Sequence, residues 1–195
     1  GAPDLLTLRA AEVLKRADIV FHDALVHSEV LGLACNAKKI AVGKRCGRFT
    51  TAQQFINKRL VDAAGKYQVV VRLKGGDPML FGRAQEEIAA LEAAGVPYDV
   101  VPGVTSALAA AAEACVSLTQ RGIARSVTFV TPRVGEGEAP SNWAKSVAVA
   151  DTAVIYMGAR QAREITAALI AAGAARDLPV LVVENATLPQ VRRIA

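Results

Sequence analysis

Residues 72–83 read Arg72-Leu73-Lys74-Gly75-Gly76-Asp77-Pro78-Met79-Leu80-Phe81-Gly82-Arg83. They follow the β-branched run Val69-Val70-Val71 and precede a segment with helical spacing. A buried strand, a glycine turn and a helix start follow one another here. In open α/β sheets that junction is where ligands bind. Adjacent glycines let the backbone turn sharply and come close to a ligand. Pro78 fixes its own φ and gives up a donor. Asp77 adds a carboxylate, and Lys74 and Arg83 set positive charge on either side.

Upstream of this stretch, short strands and helices alternate. Asp4 is expected to cap a helix with an apolar face of Leu6, Ala10, Val13 and Leu14. Gly1-Ala2-Pro3 before it reads as the end of a glycine turn. A βα unit would place a strand ahead of that turn, so the reading predicts that a first strand is missing. Ile19-Val20-Phe21 forms a strand ending in His22-Asp23, and Lys39 to Val42 forms a second, ending in Gly43-Lys44-Arg45. Thr51 is expected to cap a helix carrying Phe55, Ile56 and Leu60, and Gln68 to Arg72 is the third strand.

Downstream, the helix after Gly82 uses Ala84, Ile88 and Leu91 and stops at Gly95. Tyr98 to Val101 is expected as a fourth strand. An Ala-rich helix from Ser106 to Ala114 follows, then strands at 126–130, 152–156 and 180–183, with a helix through Ile165 and Leu169. No final element is expected at Arg192 to Ala195, so that end reads as truncated. The alternation predicts an α/β protein with mainly parallel sheets covered by helices. The domains are drawn as 1–103 and 104–195.

Composition narrows the functional classes. Of 195 residues, 52% are hydrophobic and 21% charged, which supports a packed core. Aromatics at 5% argue against a base-stacking platform for single-stranded nucleic acid, and no nucleic-acid partner is expected. The net charge of +5 suits a polyanionic partner, which need not be nucleic acid, and an acidic small molecule fits equally well. Cys35, Cys46 and Cys115 are dispersed, giving neither a disulfide pattern nor a metal-ligand spacing. No transmembrane run and no leader is visible, and a cytoplasmic location is expected.

Polar or glycine-bearing motifs fall where strands end: Asp23; Gly43 to Gly47; Gly75 to Pro78; Pro102-Gly103-Val104-Thr105-Ser106; Tyr156-Met157-Gly158; and Glu184-Asn185-Ala186-Thr187. Carboxyl ends of parallel strands share one edge, so these motifs are expected to converge on a cleft. Val70 to Pro78 with Phe81-Gly82-Arg83, Val101 to Ser106, Arg125-Ser126-Val127-Thr128-Phe129-Val130-Thr131, Tyr156-Met157-Gly158 and Glu184 to Thr187 together resemble the tetrapyrrole methylase family. Val42-Gly43-Lys44-Arg45 and Ser117-Leu118-Thr119 with Arg121-Gly122 resemble its members that methylate uroporphyrinogen III.

The resemblance implies two α/β domains, each a sheet flanked by helices, with the active site in the inter-domain cleft. It implies S-adenosylmethionine as cofactor, S-adenosylhomocysteine as its product, and a homodimer. It implies two methyl transfers to uroporphyrinogen III, giving precorrin-2 for sirohaem, haem d1 or cobalamin. The family's cofactor contacts fall on Gly75, Gly76, Asp77, Leu80, Thr105, Ser106, Met157 and Ala186. Its proposed proton-handling positions fall on Asp23, Lys44 and Arg83. Arg83 has a plainer reading beside this one, as the partner of Glu86 or Glu87 on its own helix. Arg45, Arg121 and Arg125 are candidates for the substrate's carboxylates, since arginine binds carboxylate bidentately.

Three positions depart from the family pattern. Its first glycine loop survives only as Gly1, Gln120 stands where histidine is usual, and Ala84-Gln85 replaces a glycine pair. Other readings remain: a sister methylase acting on another tetrapyrrole or on RNA, and a nucleotide-binding module without chemistry.

Overall fold

The computed structural model describes residues 1–42, 49–135 and 137–194, apart from the side chains of 49–52. The chain divides into two compact units, Gly1–Ser106 and Ala107–Ala195.

In the first unit a 3-10 turn at Pro3–Leu5 precedes α1 (Leu8–Lys15). Asp4 is therefore not the cap. Thr7 is, its hydroxyl accepting from the Ala10 N–H at 3.3 Å. Pro3 at the start of the turn keeps Asp4 within that turn and delays the helix. Then follow β1 (Ile19–His22), α2 (Ser28–Gly32), β2 (Lys38–Ala41), α3 (Phe49–Ala64), β3 (Val70–Leu73) and α4 (Ala84–Ala93). Thr51 lies inside α3 rather than at its cap. The sheet order is β2-β1-β3, all parallel.

Alternation along the strands distributes the core. Val20 faces a cluster with Leu14, Ala17, Val30 and Ala34, against which Val69, Val71 and Leu73 pack. Ile19 and Phe21 face the opposite cluster, with Ile56, Leu60 and Ala63. Helices α1 and α2 thus cover one face and α3 the other. Phe21, Leu14 and Val20 are fully buried, and a side chain of this kind contributes about 1.5–3 kcal/mol by leaving water. The expected strand at Tyr98 to Val101 does not form, and no described strand pairs with it. Its residues favour extended backbone, but a strand also requires a neighbour to receive its N–H and C=O groups.

Helix α5 (Ser106–Glu113) starts on the last residue of the first unit and runs on into the second. The second unit continues with β4 (Val127–Val130), α6 (Trp143–Val149), β5 (Thr152–Ile155), α7 (Ala162–Ala171), β6 (Val182–Glu184) and β7 (Arg192–Ile194). Strands β4 and β5 are parallel, and β6 and β7 form an antiparallel pair. The end expected to lack an element thus carries β7, whose Arg192 also pairs with Glu184 at 3.3 Å.

Candidate active site

Because β1, β2 and β3 run parallel, with His22 opposite Ala41 and Leu73, their carboxyl ends form one edge. Asp23 and the Lys74–Asp77 turn leave from it. Gly75 and Gly76 are exposed there. Gly76 has φ +71°, the left-handed conformation that glycine adopts without strain. Around it stand the Thr105 Cα, the Val104 carbonyl oxygen and the Ser106 nitrogen, each within 3.9 Å of where a Cβ would sit.

Asp77 fastens this turn to the Pro102–Ser106 segment. Its Oδ1 accepts from the Met79 N–H at 2.8 Å and its Oδ2 from the Gly103 N–H at 3.0 Å. The first is a local Asx-type turn and the second spans 26 residues. Thr7 adds a hydroxyl donor to the Pro102 carbonyl at 3.4 Å. Leu80 follows half-buried, its N–H bonded to the Asp77 carbonyl at 3.3 Å. Gly75, Gly76, Asp77, Leu80, Thr105 and Ser106 are thus brought together within one unit.

Asp23 is engaged rather than isolated. Its Oδ1 accepts from Arg72 Nη2 at 2.6 Å. Arg72 also donates through Nε to Glu87 at 3.0 Å, and Glu87 takes Lys74 Nζ at 2.9 Å. Residues 72 and 87 were not among the sequence's candidates. The available signal was a charge in an apolar setting: Arg72 in a β-branched run, and Glu87 at the helical spacing of Ala84 and Leu91. Glu87 is only 5% exposed.

Arg83 grips Glu86 on its own helix, Nε to Oε1 at 2.6 Å and Nη2 to Oε2 at 2.7 Å. That hydrogen-bonded guanidinium holds the Glu86 carboxyl below the ordinary carboxylate range. The plainer of the two readings of Arg83 therefore describes its geometry here. Lys44 and Arg45 lie outside the described residues.

In the second unit, Met157 leaves the carboxyl end of β5 half-exposed, with φ +59°. Ala186 sits between Asn185 and Thr187, at φ +52° and +66°. Arg121 and Arg125 are exposed, the first inside a turn closed by a Gln120–Ala124 bridge and the second just after it. Among the described residues the non-glycines with positive φ are Phe81, Arg83, Cys115, Met157, Asn185 and Thr187. All but Cys115 belong to or adjoin candidate segments. Such strain persists where surrounding structure imposes it, often at ligand sites, and no sequence pattern announces it. Among the described residues no group of histidine, cysteine, aspartate and glutamate side chains is arranged to hold a metal ion.

The model of the Tetrapyrrole (Corrin/Porphyrin) Methylases matches residues 1–195, and the chain belongs to that family. The chain is 44% identical to siroheme synthase of Psychrobacter sp., over 97% of its own length and 39% of that protein's. It is 46% identical to siroheme synthase 1 of Klebsiella pneumoniae, over 96% of its length and 40% of that protein's. It thus spans about two-fifths of the curated relatives it matches. The crystal structure of uroporphyrin-III C-methyl transferase from Thermus thermophilus complexed with S-adenyl homocysteine superposes with TM-score 0.87. The identity there is 40%, covering 100% of this chain and 82% of that one.

Proposed function

We propose that the chain is an S-adenosylmethionine-dependent C-methyltransferase that methylates uroporphyrinogen III twice to give precorrin-2. The observation that carries this reading is the match, along this entire chain, to a uroporphyrin-III C-methyl transferase complexed with S-adenyl homocysteine. The residues present fit such a cofactor. Gly75, Gly76 and Ser106 are exposed residues whose backbone would bond its polar groups, and Leu80 would offer an apolar contact. Asp77 serves chiefly by holding the two loops together, since both its oxygens already accept backbone N–H groups. Thr105 belongs to the same loop, and Met157 and Ala186 are the proposed contributors from the second unit.

When bound, S-adenosylmethionine supplies an electrophilic methyl group, so the protein needs no nucleophile of its own. What the chain contributes is orientation and a place for the proton released at the methylated ring. Asp23 is the proposed acceptor: a carboxylate at the sheet's carboxyl edge, with its side chain about a third open. Lys44 and Arg83 are the other proposed proton-handling residues. Arg45, Arg121 and Arg125 are proposed to bind the eight carboxylates of the substrate. The product would feed sirohaem, haem d1 or cobalamin formation, and the protein would act as a cytoplasmic homodimer. Among the described residues no helix is long and apolar enough to cross a membrane.

The test is transfer from labelled S-adenosylmethionine to uroporphyrinogen III, followed by mass analysis of the macrocycle. Two added methyl groups are expected. Absence of both transfer and cofactor binding overturns the reading, and transfer only to a later corrinoid intermediate redirects it to a sister activity.

A further inference from the structure

Four ionisable side chains meet behind the carboxyl edge of the first sheet. Glu87 reaches from α4 to β3, where Oε1 takes Arg72 Nε at 3.0 Å and Oε2 takes Lys74 Nζ at 2.9 Å. Gln53 adds a donor to the same Oε1 at 3.2 Å. Arg72 then passes its Nη2 to Asp23 at 2.6 Å, while Nη1 donates to the Leu73 carbonyl at 3.1 Å and the Phe21 carbonyl at 3.4 Å. Lys74 also holds the Gly82 carbonyl, beside the turn that carries Arg83. The side chains of Arg72, Lys74 and Glu87 are 13%, 7% and 6% exposed, whereas Asp23 is 34% exposed.

Stability alone does not account for this set. Burying charges costs desolvation that their attraction at best offsets, and apolar side chains of like volume would pack as well. What the set achieves is direction. A guanidinium is rigid and planar, so fixing Nε on Glu87 and Nη1 on Leu73 leaves Nη2 one orientation. That orientation meets the single member of the set that opens outward, the Asp23 carboxylate.

We propose that Arg72, locked by Glu87, is a positioning residue that aims the Asp23 carboxylate at the macrocycle during proton removal. The proposal rests on the reading of Asp23 as proton acceptor. Lysine at 72 has a single nitrogen and cannot span both carboxylates in the fixed plane. Glutamine at 87 keeps the volume but presents one oxygen where two were used.

The experiment is a double-mutant cycle in the intact protein, measuring kcat and KM for uroporphyrinogen III alongside S-adenosylhomocysteine affinity by calorimetry and thermal melting. Asp23→Asn is expected to lower kcat about 100-fold, the scale of a lost general base. Arg72→Lys is expected to lower kcat roughly 10-fold, with cofactor affinity and KM within about 2-fold, because groups acting as one unit fail together. The double variant is then no slower than Asp23→Asn alone. Should Arg72→Lys melt early and fail to bind cofactor, Glu87→Gln enters the same cycle in its place. A slow Asp23→Asn combined with fully additive loss from Arg72→Lys or Glu87→Gln overturns the positioning role alone. Wild-type turnover by Asp23→Asn removes the acceptor reading and the positioning role with it.

Discussion

A Cβ added at position 103 would stand 2.3 Å from the Gly76 carbonyl oxygen, against backbone that has no flexible end to yield. Gly103→Ala must therefore push the Pro102–Ser106 segment away from the glycine turn. The expected cost is about 1–3 kcal/mol of stability, the range for forced overpacking. Cofactor affinity should fall by about tenfold, since 1.4 kcal/mol of misplacement suffices for that. Asp77→Ala reaches the same outcome by removal. It strips a charged acceptor from the Met79 and Gly103 N–H groups, which costs about 1.5–3 kcal/mol. Asp77→Asn retains one carbonyl oxygen and should fall between. Urea unfolding, with calorimetry against S-adenosylhomocysteine, checks all three variants. An unchanged affinity for Asp77→Ala would show that the two loops need no tie.

At the scale of elements, one device joins parallel strands in both units: an aspartate just ahead of one strand accepts from the backbone entering its neighbour. Asp18, before β1, takes the Gln68 and Val69 N–H groups at 3.0 and 2.9 Å. Asp151, before β5, takes the Arg125 and Ser126 N–H groups at 2.8 and 2.9 Å, and the Ser126 hydroxyl at 2.8 Å. These bonds, led by the Arg125 N–H, lower the Asp151 carboxyl below its usual 3.8. A depressed folded pKa stabilises above the unfolded value and is lost as pH falls through the folded one. Asp151→Asn should accordingly be less stable than wild type near neutrality, with the gap closing below pH 3.8. Urea midpoints against pH check it, and a gap that does not narrow as pH falls below 3.8 would refute the ionic account. Neither clamp was legible in the sequence, because each joins residues that only the strand pairing brings together. Local patterns fared better: the runs at 19–21 and 69–71 indicated strands, and Ala84, Ile88 and Leu91 indicated α4. Where partners decide, the sequence misled, as at Tyr98 to Val101 and at β7. Helix α6 went unseen because it is only seven residues long, with Lys145 and Ser146 inside its apolar run. The candidate site divides along the same line: its glycine and loop residues were legible as motifs, whereas Arg72 and Glu87 show their bearing on Asp23 only through distances.

The whole molecule carries a net charge of +5, and Arg121 and Arg125 are exposed to solvent. Among the described residues neither side chain enters an ion pair, whereas Arg72, Arg83, Arg192 and Arg193 all do. If these two arginines meet a polycarboxylate, their contribution acts through solvent and is screened by salt. The Debye length shortens from about 10 Å at 0.1 M to about 3 Å at 1 M salt. A macrocycle with eight carboxylates should then bind several-fold more weakly as ionic strength rises between those limits, while the singly cationic cofactor shifts little. Arg121→Ala and Arg125→Ala should each raise KM for uroporphyrinogen III by roughly 3–10-fold and flatten its salt dependence, leaving kcat nearly intact, since screened pairs of this kind are worth about 1 kcal/mol. Steady-state kinetics across a salt series decides the matter. A KM for the macrocycle that ignores salt would assign recognition to buried contacts, and steep salt dependence confined to RNA binding would favour a nucleic-acid substrate over the tetrapyrrole.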